Sequence, residues 1–121
     1  MNLLAIAAGG AIGSVARYLL TGLVARLSGP AFPLGTFVVN VIGCFAFGAL
    51  AGITSSRFSI SPATRLFWFT GILGGFTTFS SYAFESVALV REGHVLAAGV
   101  NVAGQVVVGL VALAAGYYAT T

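Results

Sequence analysis

Four stretches of predominantly apolar residues, each long enough to cross a bilayer, govern what this chain can fold into. A transmembrane helix needs about 20 such residues. The sequence supplies them at roughly 3–27, 34–54, 66–90 and 95–119, with "SGPAFP", "SSRFSISPATR" and "REGH" between them. Only 6% of the residues are charged, against about 25% in an ordinary soluble domain. The mean hydropathy of +1.07 places the chain in lipid. The expected fold class is therefore all-α integral membrane, with residues 1–121 forming a single four-helix transmembrane domain. The N-terminal segment has no basic residue before its apolar run, which continues past Arg17, so it reads as a retained first span.

The ionisable inventory is short: Arg17, Arg26, Arg57, Arg65, Arg91, Glu85, Glu92 and the single histidine His94. The basic pI near 9.6 rests on these scattered arginines. It does not come from the one-faced basic cluster that nucleic-acid binding requires. Cys44 stands alone in an apolar segment and reads as a buried, inert thiol.

Glycines recur four residues apart at Gly9 and Gly13, Gly48 and Gly52, and Gly71 and Gly75. This spacing lets membrane helices approach closely. With four spans, the termini share a side with the loop carrying Arg57 and Arg65, while Arg26 and Arg91 lie opposite. Basic residues near span ends set orientation, and here they balance. The expectation is insertion in both orientations. Two antiparallel copies would then form the inverted repeat that many transporters carry within one chain.

Polar residues at membrane depth are functional candidates. They are Arg17 in the first span, Asn40 in the second, Glu85 in the third, and Asn101 and Gln105 in the fourth. Arg17 stays protonated and either snorkels or draws anions into a vestibule. It disfavours cation transport, which would want a carboxylate there. Asn40 shares a helical face with Thr36, Gly43 and Phe47. Asn101, Gln105, Gly109, Ala112 and Gly116 make one small or polar face of the fourth span, expected to pack on protein.

The third span contains "GILGGFTTFSSY", poor helix material in the middle of an apolar run. A membrane helix breaks only where the freed backbone groups find protein, water or an ion, and "LGGFTT" is where this one is expected to break. Thr78, Ser81, Tyr82 and Glu85 follow at helical spacing with Ser80 beside them, and Phe76, Phe79 and Phe84 add ring edges of partial positive charge. Hydroxyl donors, ring edges and no intramembrane lysine suit a small, hard anion.

"GGAIGSVARY", "GTFVVNVIGCFAFG" and "GILGGFTTFSSYAFE" resemble the signatures of the Fluc (CrcB) fluoride channel family, in order across all four spans. The resemblance implies a dual-topology antiparallel homodimer in the cell inner membrane with two fluoride pathways, through which toxic fluoride leaves the cytoplasm passively. It implies a third helix broken at the glycines and a structural Na⁺ at the dimer interface, held by the backbone carbonyls of Gly74 and Thr77. It assigns the pathway to Asn40, Phe79, Tyr82, Thr78, Ser80 and Ser81, with Gln105 among the fourth-helix candidates, and the vestibule charges to Arg17 and Glu85. Tyr82 stands where the family usually has phenylalanine. Some members work as heterodimers, but most motif residues are present here, which favours a homodimer.

The competing assignment is a small dual-topology multidrug/proton exporter. That chemistry needs a carboxylate in the first span, and residues 1–84 contain no acid. A membrane assembly factor would need no polar track. An enzyme is not expected, since no nucleophile, base and orienting group can be assembled from this inventory.

Overall fold

A computed structural model describes all of residues 1–121, and the chain is helical almost throughout. Helix α1 spans Asn2–Ser28 and α2 spans Leu34–Ser56. Helix α3 runs continuously over 62–76, with Leu66–Leu73 wound as a π-helix between the α-helical turns Pro62–Arg65 and Gly74–Phe76. Helix α4 spans Phe79–Arg91 and α5 spans Val95–Thr120. The multi-pass membrane character is carried by α1, α2 and α5, which are continuous helices long and apolar enough to cross a bilayer. The expected span 66–90 is not one continuous helix. It is the C-terminal part of α3, two extended residues and α4.

The ends of these helices follow from local sequence. Ser61 caps α3, its side chain accepting from the Thr64 N–H at 3.1 Å, and Pro62 occupies the first helical position, where a missing N–H costs nothing. Gly93 takes φ 84° just beyond α4, and the His94 N–H reaches back to Leu89 O at 2.8 Å. This glycine-dependent reversal turns the chain into α5.

The interruption does not fall at the glycines. Gly74 and Gly75 are helical, and the extended residues are Thr77 (φ −81°, ψ 155°) and Thr78 (φ −149°, ψ 112°). The physical reason is packing. A side chain on Gly75 would meet Gly10 O at 2.8 Å, and one on Gly71 would meet Gly9 Cα at 2.8 Å. These glycines let α3 lie directly on α1. β-branched Thr77 and Thr78 lose little by leaving the helix.

Helices α1 and α3 run in parallel, Gly9 against Phe67 and Gly71, and Gly13 against Ile72 and Phe76. Helices α2 and α5 do likewise, Gly48 against Leu113 and Gly116 against Phe45 and Ala49. The glycine pairs of the sequence therefore lie at these two seams. The expected inner face of α5 is also present: Asn101, Gln105, Gly109 and Gly116 are buried. Helix α4 runs antiparallel to α2 and α5, since Glu85 meets Thr36 and Ser86 meets Asn101. The dry interior is small, with Val39, Leu73, Leu89 and Ala98 as its buried apolar side chains, and most large apolar residues face outward. That is the expected surface of a chain solvated by lipid and by other protein.

Candidate functional site

The extended pair Thr77–Thr78 frees backbone groups that a helix would have paired, and Asn40 on α2 takes up one residue's worth of them. Thr78 N–H donates to Asn40 Oδ1 at 2.9 Å, and Asn40 Nδ2 donates to Thr78 O at 3.1 Å. Nδ2 also donates to Gln105 Oε1 at 2.7 Å. The side-chain amide thus pairs with Thr78 on both sides, as a neighbouring strand would.

Two cavities meet here. One, of about 320 Å³, is lined by Asn40, Cys44, Thr77, Thr78, Phe79, Tyr82 and Gln105 among others. The other, of about 430 Å³, is lined by Ser14, Arg17, Thr36, Thr78, Ser81 and Glu85 among others. Thr78 lines both, with the Asn40 amide paired to it. Of the sequence-predicted pathway residues, Asn40, Phe79, Tyr82 and Gln105 therefore gather in the first cavity, Ser81 in the second, and Thr78 at the junction. Ser80 is exposed and reaches only Thr78 Oγ1, at 3.3 Å. Phe84 is 73% exposed and lines neither cavity.

Thr78 has a second task. Its Oγ1 caps α4 by accepting from Ser81 N–H at 3.1 Å, and it donates to Ser81 Oγ at 3.1 Å. The first turn of α4 carries the positive end of a helix dipole, so this turn favours an anion beside it. Phe79 and Tyr82 stand on that turn with ring centroids 5.5 Å apart and planes tilted by 49°. The Tyr82 hydroxyl donates to Val102 O at 2.8 Å. Its hydrogen is thereby committed to α5, and the ring faces the cavity as a phenylalanine would.

Arg17 holds the other cavity. Its Nε donates to Gly75 O at 3.1 Å, leaving its remaining N–H donors for the space it lines. The vestibule alternative for Arg17 therefore has a cavity to act on. Glu85 lines the same cavity and accepts from Thr36 Oγ1 at 2.7 Å, while its Oε2 is buried without a protein partner. Cys44 differs from expectation. It is half-buried and lines the first cavity.

The carbonyls at the end of α3 bear on the metal expectation. Gly75 O is taken by Arg17, whereas Thr77 O accepts no hydrogen bond from the protein. Thr78 N–H would have served Gly74 O in a continuous helix, but it turns to Asn40. No cluster of His, Cys, Asp or Glu is placed to hold a metal, so backbone oxygens are the donor set on offer. Neutral hard oxygens of this kind suit Na⁺ rather than a soft metal.

Two participants escaped the sequence reading. Ser86 is buried and accepts from Asn101 Nδ2 at 2.9 Å. Its position one helical turn after Tyr82 was the available signal. Thr36, read only as part of a face, is the partner of Glu85.

A family model described as CrcB-like protein, Camphor Resistance (CrcB), matches residues 4–117. A protein named fluoride-specific ion channel FluC from Methylobacillus flagellatus is 50% identical over 113 residues, covering 93% of this chain and 88% of its own. The FluC of Nitratidesulfovibrio vulgaris is 49% identical over 104 residues, 86% of this chain and 84% of that one. The FluC of Maridesulfovibrio salexigens is 44% identical over 111 residues, 92% and 88% of the two chains.

Proposed function

The chain belongs to the CrcB-like family, and on that premise we propose that it is a fluoride-selective ion channel through which toxic fluoride leaves the cytoplasm passively. The observation that carries the proposal is the neutral amide of Asn40 on the wall of one cavity, paired to Thr78, which lines that cavity and a second and whose own hydroxyl caps the positive end of α4. A small anion crossing there meets N–H and O–H donors and ring edges, with no lysine to trap it. Arg17 attracts the ion into its cavity. The carboxylate of Glu85, lining the same cavity, repels a bare anion there.

The working unit in this proposal is an antiparallel homodimer with two pathways, seated in the inner membrane. Support comes from the even arginine tally across the two sides and from Phe79, which is 78% exposed in the single chain and would stack against a second copy. A structural Na⁺ at the dimer interface would be held by the Gly74 and Thr77 carbonyls of both subunits. Thr77 O accepts no hydrogen bond and Gly74 O loses the Thr78 N–H to Asn40, which supports this assignment. When bound, it would supply positive charge to these carbonyls, while this chain's own Asn40 ties the adjoining backbone. The exporter alternative is not favoured: α1 carries Arg17 and no acid, and the similar proteins above are named as fluoride-specific channels.

The test is growth of a fluoride-sensitive bacterial strain on fluoride with the chain expressed. Rescue is expected with the dual-inserting protein. A version forced into one orientation by arginine-rich tags should fail unless an oppositely forced copy is supplied. Full rescue by one orientation alone would overturn the antiparallel dimer.

A further inference from the structure

The Asn40 amide is the first member of a chain of hydrogen bonds that leaves the candidate pathway and ends inside the protein. Asn40 Nδ2 donates to Gln105 Oε1 at 2.7 Å, Gln105 Nε2 to Asn101 Oδ1 at 3.0 Å, and Asn101 Nδ2 to Ser86 Oγ at 2.9 Å. Ser86 Oγ then donates to Tyr82 O at 2.8 Å. Asn101 is fully buried, and Ser86 and Gln105 are 7% and 8% exposed. Neither Asn101 nor Ser86 lines the cavity, so water cannot substitute for either of them.

The chain admits one polarity. The Thr78 N–H is a donor only, so Asn40 must turn Oδ1 to it and Nδ2 toward Gln105. Gln105 must answer with an acceptor, which sends its own NH₂ to Asn101. Asn101 must then accept with Oδ1 and donate to Ser86, whose proton is left for Tyr82 O. Reversing any one amide sets donor against donor or acceptor against acceptor at its neighbours, in a setting where each unsatisfied group is costly.

We propose that Gln105, Asn101 and Ser86 are positioning residues that reinforce the Thr78 backbone in holding the Asn40 amide in the one orientation presenting N–H, and never C=O, to a passing anion. Asn40 Nδ2 carries two hydrogens. One is fixed on Gln105 at 2.7 Å, and the other sits in the longer, 3.1 Å contact with Thr78 O. The longer contact is the one an anion can share. Gln105 thus decides which hydrogen is free, and the buried Asn101–Ser86 pair decides which way Gln105 faces. The device also spans elements: Asn40 is on α2, Gln105 and Asn101 on α5, and Ser86 on α4. A shift of α4 or α5 would be felt at the amide without contact between the moving residue and the ion.

This inference rests on the fluoride-channel reading for its functional half, so two measurements are made on the same proteins. The set is wild type, Ser86→Ala, Gln105→Met and the double variant, each reconstituted in liposomes, with Ser86→Thr as the conservative control. Fluoride efflux is recorded against fluoride concentration. Ser86→Ala should raise the half-saturating concentration about fivefold, the worth of one hydrogen bond of about 1 kcal/mol. In the Gln105→Met background, where the relay no longer reaches Asn40, the same substitution should change it by less than about 1.5-fold. Ser86→Thr should restore the wild-type value. Equal effects of Ser86→Ala in both backgrounds would mean that Ser86 only joins two helices, and would overturn the positioning role. Thermal unfolding of the four proteins reads the relay without reference to any solute. Non-additive shifts are expected there, and strictly additive ones would overturn the relay itself. A wild-type protein that passes no fluoride would refute the channel reading, and the unfolding cycle alone would then decide the relay.

Discussion

Replacing Asn40 by aspartate changes one atom group and almost no volume, so its consequences can be worked out bond by bond. The aspartate keeps an oxygen for Thr78 N–H, now 2.9 Å from Asn40 Oδ1. It loses both donations from Nδ2, to Thr78 O at 3.1 Å and to Gln105 Oε1 at 2.7 Å, and turns each into a contact between acceptors. Two lost hydrogen bonds cost about 1 kcal/mol each. For an anion passing the cavity junction the electrostatic effect is larger. Two unit charges about 4 Å apart interact by about 4 kcal/mol at an effective dielectric of 20. A barrier raised by that amount slows passage by about a thousandfold. Initial fluoride efflux from liposomes, normalised to the amount of folded protein, should fall at least about a hundredfold. Asn40→Ser, which retains a hydroxyl donor, should fall between the two. Asn40→Asp efflux within about threefold of wild type, in a protein that elutes as a folded dimer, would refute the role given to this amide.

Other expected outcomes follow from the same geometry. A Cβ at Gly13 would meet the backbone of Ile72 and Phe76 rather than a movable side chain, so Gly13→Ala should lower thermal stability by about 1–3 kcal/mol. Gly22→Ala, with open space around it, should leave stability unchanged or raise it by up to about 1 kcal/mol. Tyr82→Phe removes a hydroxyl already committed to Val102 O. Fluoride efflux should stay within about threefold of wild type at a stability cost of about 1 kcal/mol, whereas a loss above tenfold would place the phenol in the pathway. Cys44 is the only thiol and lines the cavity with Asn40, so a small thiol-directed reagent should block efflux in the wild type and leave Cys44→Ala unaffected.

Much of this fold is legible in the sequence because lipid leaves few choices. Apolar runs of bilayer length set the helices, and glycines four apart mark where α1 meets α3 and α2 meets α5. The polar residues at membrane depth were also visible, since a group such as Asn40 or Gln105 needs a partner there. The partners themselves were not. Nothing in the local sequence says that Asn40 binds the backbone of Thr78, 38 positions away, or that Gln105 reaches Asn40, 65 positions away. The poor helix formers of "LGGFTT" mark the region of the break, and the resemblance puts it at the glycines within that region. The structure moves it to Thr77–Thr78 because the tertiary packing of Gly71 and Gly75 on α1 outweighs propensity. Ser86 was missed for a similar reason: a lone serine in a membrane helix usually satisfies itself on the preceding turn, and this one does so while also accepting from Asn101.

The central claim is that the junction of Asn40 and Thr78 passes fluoride and excludes larger halides. The most direct measurement is efflux from liposomes holding the purified protein, read by a fluoride electrode with chloride as the paired control. Rapid fluoride efflux with no chloride efflux is the predicted result. Chloride efflux at a comparable rate, or no fluoride efflux from folded protein, would contradict the account.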